Sequence, residues 1–113
     1  MVKLVKLNDV ACEPVAHEPG IMKQVLLSED ELPASVRLSH ATLNPGQKVK
    51  AHRHEALVEV FYLLSGTACF RVDGHAFMAQ KGSVVRIDAG EEHSLVNSGS
   101  EDLHLLYFGL KSE

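Results

Sequence analysis

The sequence predicts an all-β fold of jelly-roll barrel type, in one domain over residues 1–113. Short apolar stretches follow one another along the chain, several alternating with polar residues, which is the period of a strand with one buried face. Glycine turns separate them at regular spacing, as in sandwiches and barrels. Helix signals are sparse, and a chain of 113 residues is long enough for one packed core.

The elements follow in order. Residues 1–20 hold short extended pieces such as 3–7, broken by Pro14, Pro19 and Gly20, and read as an edge strand and a connection. Residues 21–27 read as a strand. Ser28 and Glu31 have capping-box spacing, but Pro33 stops any helix after a single turn. Residues 35–43 alternate, with Val36, Leu38, His40 and Thr42 on one face and Arg37, Ser39, Ala41 and Leu43 on the other. Asn44-Pro45-Gly46 is a turn. Residues 57–64 and 67–72 are strands. Asp73-Gly74 is a primed two-residue hairpin turn, since both residues tolerate positive φ. Residues 75–79 return, Lys81-Gly82 turns, and 83–87 form a strand. After the polar turn 88–92 come a strand at 93–97, a turn at 98–100, a strongly apolar strand at 103–110 and a tail at 111–113.

Phe61, Leu63, Phe70, Val72, Phe77, Val85, Ile87 and Leu95 are the expected core, some of them lining a pocket. Strands 57–64 and 103–110 are apolar on both parities. Their second face needs cover, which predicts a homodimer. Net charge is −4 with no basic block, which argues against nucleic-acid binding. No apolar run is long enough to span a bilayer, and the first residues lack a signal-peptide core, so no membrane partner is expected. Cys12 and Cys69 are far apart with no CxxC. They read as reduced thiols of a cytoplasmic protein, Cys69 as a small core residue.

The chemistry concentrates in residues 46–66. His52 and His54 are one residue apart, so on an extended segment both imidazoles point to one side. Glu59 heads the next apolar run. Two imidazoles and a carboxylate converging from neighbouring strands make a metal site with room for a fourth ligand.

The spacing Gly46, five residues, His52, one residue, His54, four residues, Glu59, six residues, Gly66 resembles the first motif of the cupins without departure. Gly82, five residues, Asp88, one residue, Gly90, two residues, His93, three residues, Asn97 resembles the second. Asp88 stands where the motif usually has a proline. The resemblance covers residues 46–97. It implies a double-layer barrel of six or more strands and one divalent transition metal (Mn, Fe, Co, Ni, Cu or Zn) held by His52, His54, Glu59 and His93. In an octahedral ion, four protein ligands leave open positions for substrate, water or dioxygen. It permits dioxygenase, decarboxylase, isomerase or lyase chemistry on a small carboxylate, carbonyl or enol; fold does not choose among them. The alternative is a non-catalytic module that binds or senses a sugar or small acid. Either way the partner is a small molecule.

His40 and His104 lie mid-strand among apolar residues. They are candidate catalytic groups that bind substrate or shuttle a proton, or else hydrogen-bonded core or interface histidines. Asn97 shares a face with His93 and reads as a turn or supporting residue. Arg71 and Arg86 read as outward-facing, with a pocket cation as the sharper alternative. His17 and His75 are expected to be exposed. No Ser-His-Asp or Cys-His arrangement and no glycine-rich phosphate loop is present.

Overall fold

The computed structural model describes residues 2–16, 18–32 and 34–112. Met1, His17, Pro33 and Glu113 lie outside the described residues, and with them the expectations of an exposed His17 and a helix stop at Pro33. The strands are β1 (Glu13–Val15), β2 (Glu18–Leu27), β3 (Ser35–Leu43), β4 (Lys48–His52), β5 (Leu57–Ser65), β6 (Thr67–Val72), β7 (His75–Gln80), β8 (Val84–Ile87), β9 (His93–Asn97) and β10 (Leu103–Lys111). They form two antiparallel sheets, one ordered β1-β2-β3-β10-β5-β8 and the other β4-β9-β6-β7.

The turns explain how the chain moves between them. Asp73 and Gly74 have φ of 47° and 84°, the primed geometry whose twist matches the β6–β7 hairpin. Gly66, with φ of 92°, lies where the chain leaves β5 of one sheet for β6 of the other. A Cβ there would stand 2.8 Å from the Leu103 Cα and 2.9 Å from the Asp102 carbonyl oxygen, so only glycine fits.

The opening segment departs from expectation. Residues 3–7 are not a strand; the segment is irregular up to a single 3-10 turn at Leu7–Asp9. Its apolar residues Val2 and Leu4 are exposed, so burial gives it no reason to join a sheet. It is held by side chains instead: Lys3 pairs with Glu31, and the Gln24 amide donates to the Leu7 and Val10 carbonyls at 3.0 and 3.1 Å. The edge strand is β1, which contains Pro14. An edge tolerates proline because one row of its N–H groups faces no neighbour.

The core lies between the sheets. Leu63, Phe70, Ile87 and Leu103 are fully buried, joined by Phe61, Val85, Leu95 and Leu105. Val72, the last residue of β6, is only half-buried, and Phe77 is 40% exposed because β7 is the outer strand of the smaller sheet. Phe77 still stacks on Phe70 at 5.6 Å. Phe70 meets Phe61 edge-on at 5.6 Å, and Phe61 stacks on Tyr107 at 5.8 Å. This row of rings crosses the sandwich and ends at the Tyr107 phenol. Cys69 is half-buried and Cys12 exposed, both unbridged. Tyr62, Val84 and Leu110 are exposed, so the doubly apolar strands do present a second apolar face.

Candidate metal centre

His52 closes β4, His54 follows it in the turn, Glu59 lies in β5 and His93 opens β9. His52 and His93 are register partners across the β4–β9 ladder, and Glu59 reaches them from the opposite sheet. One ligand atom from each of the four lies within 4.8 Å of the others, close enough for one cation to touch all four. The set matches the reading from the two motifs.

Backbone carbonyls orient two of the imidazoles. His52 Nδ1 donates to the Lys50 carbonyl at 2.8 Å, and His93 Nδ1 donates to the Glu91 carbonyl at 3.0 Å. A carbonyl only accepts, so each Nδ1 carries the proton and Nε2 is turned to the centre. Glu59 Oε1 lies 3.0 Å from His93 Nε2 and 3.3 Å from His54 Nε2. Burial lowers the His93 pKa, but hydrogen bonds to Glu59 and the Glu91 carbonyl outweigh it and hold the value above that of a free imidazole. Burial keeps His52 below that value despite the Lys50 carbonyl. Three imidazoles and one carboxylate, with Nδ1 tied back on two of them, suit a divalent transition ion.

The cluster opens into a cavity of about 230 Å³ between the sheets. Its walls are mainly apolar, from Ile21, Val49, Phe61, Leu95 and Leu105. Its polar lining beyond the cluster is Ser39, Tyr107, Lys23 and Arg37. Tyr107 hydrogen-bonds Ser39, and burial together with the Glu59 charge raises its phenol pKa.

His40 and His104 are brought together, but away from this cavity. On β3, Ser39, Ala41 and Leu43 face the cavity, so His40 and Thr42 face outward; on β10, Leu105 and Tyr107 face in and His104 out. The two rings stack at 5.3 Å, with His104 Nδ1 3.3 Å from His40 Nε2. Gln24 Oε1 lies 3.0 Å from His40 Nδ1, and Thr42 Oγ1 lies 3.2 Å from His104 Nδ1. Strand parity therefore removes both from reach of a molecule in the cavity and gives them the hydrogen-bonded role between strands. Arg71 is exposed and donates to the Gly74 carbonyl at 3.3 Å, and Arg86 pairs with Asp88 at 3.0 Å outside the barrel. Asp88 also starts its turn through its backbone N–H, which donates to Glu91 Oε1 at 2.7 Å, so the proline position is filled by a residue that makes its own turn contacts. Asn97 ties loops: its amide donates to the Leu43 and Glu101 carbonyls at 2.8 Å each and its oxygen accepts from Gly99 at 2.9 Å.

The cavity cations are Lys23 and Arg37, and the sequence reading passed over both. The signal was present: Arg37 alternates with Ser39 and Ala41, and the small residues mark the face that leaves room for a ligand.

A family model described as Cupin domain matches residues 39–109, which includes both motifs. An oxalate-binding protein of Thermotoga maritima is 32% identical over 108 residues, covering 91% of this chain and 89% of that protein. The tetracenomycin polyketide synthase protein TcmJ of Streptomyces glaucescens is 26% identical over 93 residues, 81% of this chain and 62% of that protein. Among solved structures, one from Thermotoga maritima described as a predicted oxalate decarboxylase superposes with a TM-score of 0.90 at 27% identity, covering 96% of this chain and 99% of that one.

Proposed function

The chain belongs to the cupin domain family, and on that premise we propose that it is a metal-dependent enzyme acting on a small carboxylate held in the cavity beside the His52/His54/Glu59/His93 centre. The observation that carries the reading is the placement of four convergent ligand atoms at one wall of a mainly apolar cavity. A divalent ion bound there supplies a Lewis acid that polarises a carboxylate or carbonyl and open positions for the reacting molecule. The protein's own groups do the rest. The Lys50 and Glu91 carbonyls fix the imidazoles. Glu59 provides the negative charge that offsets the cation. Phe61, Leu95 and Leu105 exclude water, which strengthens every polar contact inside. The Tyr107–Ser39 pair offers hydroxyls to a substrate oxygen. Decarboxylase, isomerase, lyase and dioxygenase chemistry can all begin from such an arrangement.

A second reading, binding without turnover, is favoured by the Thermotoga relative described as oxalate-binding. One experiment separates them. Chelator-stripped protein is loaded with manganese, iron, cobalt, nickel, copper or zinc, ion content is measured, and oxalate binding and loss are followed. The enzyme reading expects one ion per chain, oxalate binding that requires it, and oxalate consumption that His52→Ala abolishes together with ion content. Binding without consumption selects the second reading. Oxalate binding of unchanged affinity in ion-free protein refutes the enzyme reading, which requires the ion. The exposed apolar face with Tyr62, Val84 and Leu110 further supports a homodimer, which sedimentation of the native protein tests against the mass of one chain.

A further inference from the structure

Lys23 is 8% exposed, lines the cavity, and makes no hydrogen bond or ion pair with any described residue. Among the described residues no fully buried side-chain nitrogen lacks a partner, so the Lys23 ammonium itself meets the open cavity, while burial of its stem lowers its pKa. Glu13, its register partner on β1, attracts it only from an exposed position. Arg37 lines the same cavity from β3. Opposite it the β3–β10 register shifts between Tyr107 and Gly109, and Arg37 has φ of 32°. A bulge re-aims a side chain, and a non-glycine residue at such φ is strained. Among the described residues its ion pair is a loose one, 3.8 Å to the exposed Glu29. Lys23 thus lines the cavity from within, and Arg37, its side chain 42% exposed, stands at the rim with donors the Glu29 pair leaves unused.

Their distance from the cluster follows from strand order. Glu59 on β5 is paired with Gly109 on β10, which is paired with Val36 on β3, next to Arg37; Lys23 lies one strand further, on β2. Strands are spaced roughly 4.8 Å apart and rise about 3.3 Å per residue, which puts the Arg37 backbone about 10 Å across the sheet from Glu59, and the Lys23 backbone about 14 Å across and, because its row runs through Ala41, Leu105 and Leu63, about 13 Å along. Tyr107 and Ser39 lie between. The span exceeds what the two adjoining carboxylates of oxalate can bridge while chelating an ion.

We infer that Lys23 and Arg37 form an anion subsite that holds the second carboxylate of a diacid longer than oxalate, whose other end occupies the His52/His54/Glu59/His93 centre. The inference rests on the metal-centre reading for the position of the chelating end. The subsite itself does not depend on the ion. It assigns the substrate class: a small diacid with a carboxylate beside a keto or hydroxyl group at one end and a second carboxylate several bonds away.

The test uses two probes with the same chelating head and chain length, 2-oxopentanoate with an apolar tail and 2-oxopentanedioate with a carboxylate tail. Binding to the full chain is measured by calorimetry with and without manganese. The diacid is expected to bind about ten- to hundredfold tighter, and Lys23→Met and Arg37→Gln each to reduce that ratio while leaving monoacid binding and manganese content unchanged. Circular dichroism confirms that both variants fold, and Lys23→Arg restores the preference if charge is what matters. Equal affinity for the two probes in the native protein overturns the subsite, as does an equal loss of both probes in the variants. If the chain takes up none of manganese, iron, cobalt, nickel, copper or zinc, the metal-centre reading fails, while the diacid preference of the ion-free protein still decides the subsite.

Discussion

Metal binding at the four-residue centre will weaken as pH falls, with a proton count that the geometry bounds. In the ion-free chain His93 Nδ1 faces the Glu91 carbonyl and Nε2 faces Glu59 Oε1, each at 3.0 Å. A carbonyl and a carboxylate both accept, so this setting favours the protonated His93 ring. Its raised pKa agrees. The proton on Nε2 occupies the direction in which an ion would bind, so binding must expel it. His52, whose pKa burial holds down, gives up none near neutrality. Each displaced proton makes affinity fall tenfold, about 1.4 kcal/mol, per pH unit. Affinity is therefore expected to fall from about pH 7 to about pH 6, by up to tenfold for the one proton displaced from His93. Calorimetry at pH 7 in buffers of different ionisation enthalpy should find net proton release, up to one per ion, and chelator competition should trace the slope. Glu59→Gln removes the charge that holds the proton. Proton release should then fall well below one, while affinity drops by about a hundredfold or more because the only anionic ligand is lost. Zero proton release in the native protein, with affinity flat across this range, would refute the argument. The sign for stability runs the other way: the raised His93 pKa stabilises the ion-free fold fully below about pH 6.5, and that contribution is lost as pH climbs through the raised value.

Three further outcomes are expected. Gly66→Ala must accommodate φ of 92° and a Cβ 2.8 Å from the Leu103 backbone, which should cost about 2–4 kcal/mol by urea unfolding; a loss under about 1 kcal/mol would show that the backbone can shift there. Asn97→Ala strands the Leu43 and Glu101 carbonyls and the Gly99 N–H, and should lower stability by roughly 2–3 kcal/mol with metal affinity kept, unless water replaces the amide. Burial, then the neighbouring His104, depress the His40 pKa, so native stability is complete above about pH 6.5 and declines as pH falls through the lowered value. Urea midpoints of His40→Gln should show less of that decline than the native chain, and an identical decline would assign it elsewhere.

The ligand set was legible because it is encoded locally. His52 and His54 share a motif with Glu59, and His93 sits at a fixed place in a second motif. Strand order and turns were legible for the same reason: alternation and glycine placement act within a few residues. What escaped the sequence depends on distant pairing. Which parity of β3 faces the cavity is decided by how it lies between β2 and β10, and that choice sends His40 outward and Arg37 inward. Lys23 looked like a polar interruption in an apolar strand, yet it is buried at the cavity between the sheets. Phe77 was expected in the core from its hydrophobicity, but β7 has a neighbour on one side only. Residues 3–7 had strand-like composition and no sheet edge to join.

The ligands also divide between the layers, Glu59 on the six-stranded sheet and His52 and His93 on the four-stranded one. An ion bound there would act as a rivet, and the layers could not part without ligand exchange at the metal. Between His52 and His93 it closes a loop of 93 − 52 = 41 residues, worth up to about 4 kcal/mol by the loop-entropy relation for cross-links. That gain falls mainly on the unfolding rate if the sheets separate before the ligands let go. The lifetime of the folded chain would then track metal supply: starved of the ion, the protein would lose its binding centre and open faster in the same stroke.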